Sequence, residues 1–182
     1  MSGPIVVIGS GSGGLTVAVG LAMLGRPTVL VEAGSIGGGC TNTGCIPSKT
    51  LLHLSRTGSA DPAATLAAVR AQRDALAQRE DDEIDANPAI ELVRGRGRLA
   101  DSRTVMVDLA SGGVRRIRAR AVVIATGARP RSLDIAGLPP ELLVTTETVF
   151  ELVEPPRHLA VVGGGAVGVE LAGAFARLGS RV

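Results

Sequence analysis

The sequence has no Trp, no Tyr and only two Phe, so it carries no row of aromatic side chains on which nucleobases could stack. Lysine is almost missing: 18 of the 19 basic residues are Arg, and the one lysine is Lys49. Cysteine is confined to Cys40 and Cys45, too few for a disulfide-stapled scaffold. No long apolar run is present, since the longest weakly polar stretch, Leu15 to Leu24, falls short of the roughly 20 residues a helix needs to cross a bilayer. Met1 to Gly3 carry no basic side chain and an apolar segment follows at once, unlike a secretory signal. These absences point to a cytoplasmic protein with no membrane partner. A net charge of +2 is too small to call for a polyanion. What is abundant is apolar: 45% of the 182 residues are hydrophobic against 20% charged, which excludes a disordered chain.

Four continuously apolar runs read as buried strands: Ile5 to Ile8, Thr28 to Val31, Ala121 to Ala125 and Leu159 to Val162. Absence of alternation suits a parallel sheet covered on both faces. Between the first two lie a glycine turn and a helix over Leu15 to Leu24, which makes a βαβ unit. Asp61-Pro62 forms an N-cap followed by Pro at the first helical position. The helix that follows, Ala63 to Arg79, has Leu66, Val69 and Leu76 as its inner face, and the acidic run Glu80 to Glu83 is expected to end it in solvent. From Ile90 to Arg120 the pattern shortens, with turn signals at Asp101-Ser102 and Ser111-Gly112-Gly113, and predicts a small antiparallel meander. Ten arginines lie between Arg94 and Arg131 against two acids, Asp101 and Asp108. Without interleaved aromatics they read as solvated hairpin arginines, not as a nucleic-acid face.

The clearest organising signal is an internal repeat. Gly9, Gly11, Gly14 and Gly25 recur at the same offsets as Gly163, Gly165, Gly168 and Gly179, each set after an apolar run. Each set has the form strand, Gly-x-Gly-x-x-Gly, helix. The first glycine allows the tight turn, the second lets a pyrophosphate approach the backbone, and the third lets helix pack on strand. Glu32, at the end of the second strand, is positioned to accept hydrogen bonds from a ribose. Two such loops suggest two dinucleotides, as in a flavoprotein coupled to a nicotinamide. The second copy stops at Val182, before its own terminal acid. The expected fold is therefore α/β: a Rossmann-like domain over 1–155 with a parallel sheet and a small meander, then the start of a second Rossmann-like domain over 156–182.

Cys40 and Cys45 form a C-x4-C run followed by Ile46-Pro47-Ser48-Lys49. Zinc would need two further ligands, and the chain offers only His53 and His158; no metal site is assigned. Buried unlinked thiols and a redox-active pair stay open as readings. Position favours the redox pair, because Pro47 suits a helix start and a thiolate is stabilised near a helix N-terminus. If that helix includes Cys45, Lys49 lies one turn later on the same face.

The run Gly37-Gly38-Gly39-Cys40-Thr41-Asn42-Thr43-Gly44-Cys45-Ile46-Pro47-Ser48-Lys49 resembles the redox signature of the class I pyridine nucleotide-disulfide oxidoreductases, nearer to the mercuric and lipoamide branches than to glutathione reductase. Ala125-Thr126-Gly127-Ala128-Arg129-Pro130 is similar to the second FAD motif of that family, and Val161 to Gly179 to the start of its nicotinamide domain. The resemblance implies roles. Cys40 would be the interchange thiol that attacks substrate and Cys45 the thiol lying against the flavin. Lys49 would sit near flavin N5 and pair with Glu170. Gly9, Gly11, Gly14, Glu32, Gly38, Gly97, Thr126 and Gly127 would line the FAD site, and Gly163, Gly165 and Gly168 would face NADH or NADPH. The substrate would be a disulfide, a dithiol or Hg(II), and the full-length protein a homodimer.

Two positions depart from the pattern. Gly39 stands where the family has Thr, which removes a hydroxyl, and Ala166 is smaller than the residue common beside the flavin. The resemblance also implies that the chain is an N-terminal fragment lacking the rest of the nicotinamide domain and the dimerisation domain with its His-Glu acid/base pair. A non-catalytic nucleotide-binding or interaction module is the alternative.

Overall fold

A computed structural model describes residues 3–57, 61–131, 133 and 135–182. Residues 1 and 2, where the reading of the N-terminus begins, lie outside them. Among the described residues there are six strands, β1 (Ile5–Ile8), β2 (Thr28–Glu32), β3 (Ile90–Asp101), β4 (Thr104–Leu109), β5 (Val114–Arg118) and β6 (Ala121–Ile124), and five α-helices, three of which lie between β2 and β3. The helices are α1 (Ser12–Met23), α2 (Gly38–Asn42), α3 (Cys45–Thr57), α4 (Pro62–Asp85) and α5 (Ala166–Arg177). The chain divides into two compact units, Met1–Thr41 with Leu76–Ala128, and Asn42–Ala75 with Arg129–Val182.

The first unit is one six-stranded sheet in the order β5-β4-β3-β2-β1-β6. β6, β1, β2 and the first half of β3 run parallel, in the registers Ile5 to Ala121, Ile5 to Thr28 and Thr28 to Ile90. From Gly95 onward β3 leaves β2 and pairs antiparallel with β4, which pairs with β5. The α/β class and the meander are as expected, but β3 does more than the sequence suggested. Its first half is a fourth parallel strand, obscured because exposed Glu91 interrupts the apolar run Ile90–Val93. Alternate side chains of β1 and β2 go to opposite faces, as the period of two requires. Val6, Ile8, Val29 and Val31 pack with Val105, Val107 and Ile117 of the curled meander. Val7 and Leu30 pack with Ala18 of α1, with Ile36 and with Ile84 of α4. Val6, Val7 and Leu30 are wholly buried, and burying each such side chain is worth about 1.5–3 kcal/mol.

The second unit holds α3, the first half of α4, α5 and two 3-10 turns at Pro140–Leu142 and Val149–Glu151. Its core is Leu51, Leu66, Val69, Val149, Phe150, Ala174, Phe175 and Leu178, so both phenylalanines of the chain are used here. Arg70 donates to the Leu152 carbonyl at 2.6 Å, and Arg73 pairs with Asp74 and Glu151.

Two expectations need correction. Leu159 to Val162 is not a strand: its surroundings offer one isolated parallel bridge, His158 with Arg181, and Val162 is exposed. A ladder needs successive partners, and an apolar run alone does not supply them. The acidic run does not end α4 in solvent either. Asp61 caps the helix as expected, accepting from the amides of Ala63 and Ala64 at 2.9 and 3.2 Å, but the helix continues to Asp85. Ile84 is buried against the sheet, Asp81 pairs with Arg94, and Glu80 is hydrogen-bonded.

Candidate dinucleotide loops and thiol motif

The two glycine loops share one backbone conformation. Gly9 and Gly163 have φ of +99° and +114°, reached cheaply by glycine alone. Gly11 and Gly165 are the N-caps of α1 and α5, with φ/ψ of −68°/−178° and −73°/173°. A Cβ on Gly14 would collide with the Gly9 carbonyl, and one on Gly168 with the Gly163 carbonyl. In both copies the third glycine thus lets the helix seat on its own turn. The middle glycines are different: a Cβ on Gly11 would meet only Gly38 Cα at 3.9 Å, and one on Gly165 would meet nothing within 4 Å. Neither helix has a side-chain cap at its N-cap residue. Amides without intrahelical partners, beside open space, suit an anionic phosphate.

Glu32, at the end of β2, is tied to the first loop. One carboxylate oxygen accepts from the amide and the hydroxyl of Ser10, both at 2.7 Å, and the other accepts from the Gly34 amide at 2.6 Å. Ser10 is wholly buried. The acid therefore fixes the loop, and the oxygen that accepts from Gly34 retains a lone pair for a further donor. Thr126 and Gly127 follow β6 on the same edge of the sheet, where a Cβ on Gly9 would lie 3.2 Å from Thr126 Cα. Gly97 is on β3, and its missing Cβ points at Ile8 and Val31, 3.0 and 3.1 Å away. Close packing of the sheet is the role its surroundings explain.

The thiol motif begins against the first loop. Gly37 forms a parallel bridge with Gly11, and its amide donates to the Ser10 carbonyl at 3.0 Å. Gly38 has φ +56°, and a Cβ there would come within 2.6 Å of Gly11 Cα. Cys40, half-buried, lies in α2, two residues beyond that contact. Cys45 is exposed and is the first residue of α3. The helix thus starts two residues before Pro47, and Lys49 follows Cys45 by one turn. Lys49 and Glu170 lie on α3 and α5, which pack together in the second unit. The ion pair implied by the resemblance is not formed: both side chains are exposed, and no such pair occurs among the described residues. Water competes well for exposed charges, so the pair has little to gain.

Glu80 was missed by the sequence reading. Its Oε2 accepts from the Thr41 hydroxyl at 2.9 Å, and Gly37 leaves the room the carboxylate occupies. The available signal was spacing: Leu76, Glu80 and Ile84 share one face of α4.

Among the described residues no cluster of His, Cys, Asp and Glu could hold a metal, and no helix is long and apolar enough to cross a membrane. A parallel sheet ending in one phosphate-type glycine loop, with the glycines that precede Cys40 seated on that loop, and a second glycine loop of the same form in the other unit, is the arrangement of a dinucleotide-binding class of protein that carries a thiol pair. The chain belongs to the pyridine nucleotide-disulphide oxidoreductases, whose family profile matches residues 3–182. It is 37% identical to a mercuric reductase of Streptomyces lividans, over 98% of this chain and 41% of the relative. It is 35% identical to dihydrolipoyl dehydrogenase 3 of Pseudomonas aeruginosa, over 98% and 42%. Among solved structures, the HOCl-induced flavoprotein disulfide reductase RclA from Escherichia coli superposes with a TM-score of 0.88 at 31% identity, covering 97% of this chain and 40% of that one. The chain spans about two fifths of the length of these relatives.

Proposed function

We propose that the protein carrying this chain is a FAD-dependent, NAD(P)H-linked oxidoreductase that passes electrons through Cys40 and Cys45 to or from a disulfide, a dithiol or Hg(II). The observation that carries this reading is the contact of Gly37 and Gly38 with Gly11, which joins the thiol motif to the first phosphate-type loop. The loop fits a pyrophosphate because its middle glycine is open and its helix N-terminus uncapped. Bound FAD would supply two-electron chemistry between the nicotinamide and the thiols. Gly9, Gly11, Gly14 and Glu32 would hold its pyrophosphate and ribose, with Gly38, Gly97, Thr126 and Gly127 around them. Gly163, Gly165 and Gly168 would hold the nicotinamide dinucleotide. Residues 1–155 and 156–182 would then be the FAD-binding part and the start of the NAD(P)-binding part.

With both thiols reduced, the Cys40 thiolate attacks one sulfur of an external disulfide, forming a mixed disulfide and releasing one thiolate. The Cys45 thiolate then attacks Cys40 Sγ, forms the Cys40–Cys45 disulfide and releases the second thiolate. Two electrons leave the protein, and two from NAD(P)H restore the dithiol. A dithiol substrate runs the sequence backwards, and Hg(II) bound between thiolates takes the same two electrons to become Hg(0). Lys49 would hold a positive charge beside the flavin, with Glu170 nearby. We place the protein in the cytoplasm as a homodimer.

The test is two-electron reduction of the purified full-length protein. Bound flavin and a long-wavelength thiolate-flavin band that disappears in Cys45→Ser are expected. Absence of flavin, or a band that survives Cys45→Ser, would overturn the reading.

A further inference from the structure

We infer that Glu80 is a positioning residue for the interchange thiol: it acts through Thr41 to hold α2, and with it Cys40, in place. The inference rests on the proposed role of Cys40. α2 has five residues, too few to be stable on local hydrogen bonds alone. Two of its anchors in the first unit are the seat of Gly38 on Gly11 and the hydrogen bond from Thr41 Oγ1 to Glu80 Oε2 at 2.9 Å. The first anchors the start of the helix, and the second lies one residue beyond Cys40. Thr41 is 4% exposed, so its hydroxyl has little water to turn to if the carboxylate is lost.

The acid is itself held. Leu76–Asp85 of α4 belongs to the first unit, and there Ile84, one turn after Glu80, is buried beside Val7, Leu30 and Ile36. Asp81 is paired with Arg94 on β3. Glu80 therefore projects from a helix docked on the sheet that also carries the glycine loop. Gly37, with φ +88°, completes the arrangement, because a Cβ there would collide with both Glu80 Oε2 and the Thr41 side chain. The role is that of a hydrogen-bond acceptor at a fixed point, so a neutral amide of the same shape should serve nearly as well.

The test is the rate of iodoacetamide alkylation of Cys40 across pH, in the full-length flavin-loaded protein carrying Cys45→Ser so that one motif thiol reports. The plateau rate at high pH reads access to the thiolate, whereas a change in local charge would move the midpoint instead. Thr41→Val and Glu80→Ala are each expected to raise the plateau by about five-fold, the effect of removing one hydrogen bond from a local opening equilibrium. Thr41→Ser and Glu80→Gln, which keep a donor or an acceptor, should stay within about two-fold of the parent. The Thr41→Val/Glu80→Ala double variant should exceed neither single, because both remove the same contact. Unchanged plateaus in the singles, or effects that multiply in the double, would overturn the inference. If Glu80→Ala yields no flavin-loaded protein, Thr41→Val against Thr41→Ser decides alone. The thiolate-flavin band of the protein with both cysteines is recorded in parallel: its absence defeats the proposed function, while its presence with unchanged plateaus defeats only the role of Glu80.

Discussion

At the scale of single residues, glycine is chosen here for two unlike reasons, and substitution should separate them. Gly14 is buried and has no room for a methyl group, since a Cβ would overlap the Gly9 carbonyl, a backbone atom that cannot swing aside. Gly20 lies in the same helix and would meet nothing within 4 Å. Gly14→Ala should therefore cost about 1–3 kcal/mol through overpacking, while Gly20→Ala should stabilise by roughly 0.5–1 kcal/mol through helix propensity. Urea unfolding of the two variants checks this, and a Gly14→Ala as stable as the parent would contradict the packing described for α1. Glu32 shows the same economy with a charged group. Its oxygens hold Ser10 and Gly34 before any ligand is considered, so its loss should loosen the loop, beyond removing the ribose acceptor we propose it to be.

Among the elements, α4 shows why charge patterning misleads. A run of four acids looks like a solvated helix end, yet on a helix those residues face different ways, and Ile84 brings the last turns back to the sheet. Ile84→Ala should cost about 2–5 kcal/mol, as for other buried aliphatic truncations, whereas a helix ending in solvent near residue 80 would lose less than about 0.5 kcal/mol. Denaturant melts distinguish the two. The β3–β4 turn gives a pH prediction. The carboxyl of Asp101 lies below its ordinary range, chiefly because it accepts the Arg103 amide hydrogen bond at 2.8 Å and secondarily a bond from the Thr104 side chain. With the folded value lowered, the turn keeps this support above the ordinary carboxylate range and loses it as pH falls through the lowered value. The Arg103 amide resonance should shift with a midpoint below that range, and Asp101→Asn should abolish the shift. A midpoint at the ordinary carboxylate value would show that the bond does not form in solution.

Over the whole molecule, the parts legible in the sequence were those fixed by local sterics. Both Gly-x-Gly-x-x-Gly loops, the Asp61-Pro62 helix start and the strands of the first βαβ unit follow from which residues can adopt which backbone. The parts that were not legible depend on distant partners. Ile90–Val93 became a parallel strand because β2 was there to receive it, and Leu159 to Val162 stayed irregular because only His158 found a bridge. Glu80 was hidden because its partner, Thr41, is 39 residues away. The reading that spans the molecule, two loops for two dinucleotides, can be tested at the middle glycines. Gly11 and Gly165 have negative φ and room for a methyl group, so alanine at either should leave the fold intact and occupy only the space a pyrophosphate would approach. In the full-length protein, Gly11→Ala should lower bound flavin by ten-fold or more (roughly 1.4 kcal/mol or more). Gly165→Ala should keep flavin but slow its anaerobic bleaching by NADH and NADPH to a similar degree. Flavin content and bleaching rates measure the two arms separately, and if either substitution impaired both equally, the loops would not be serving separate cofactors.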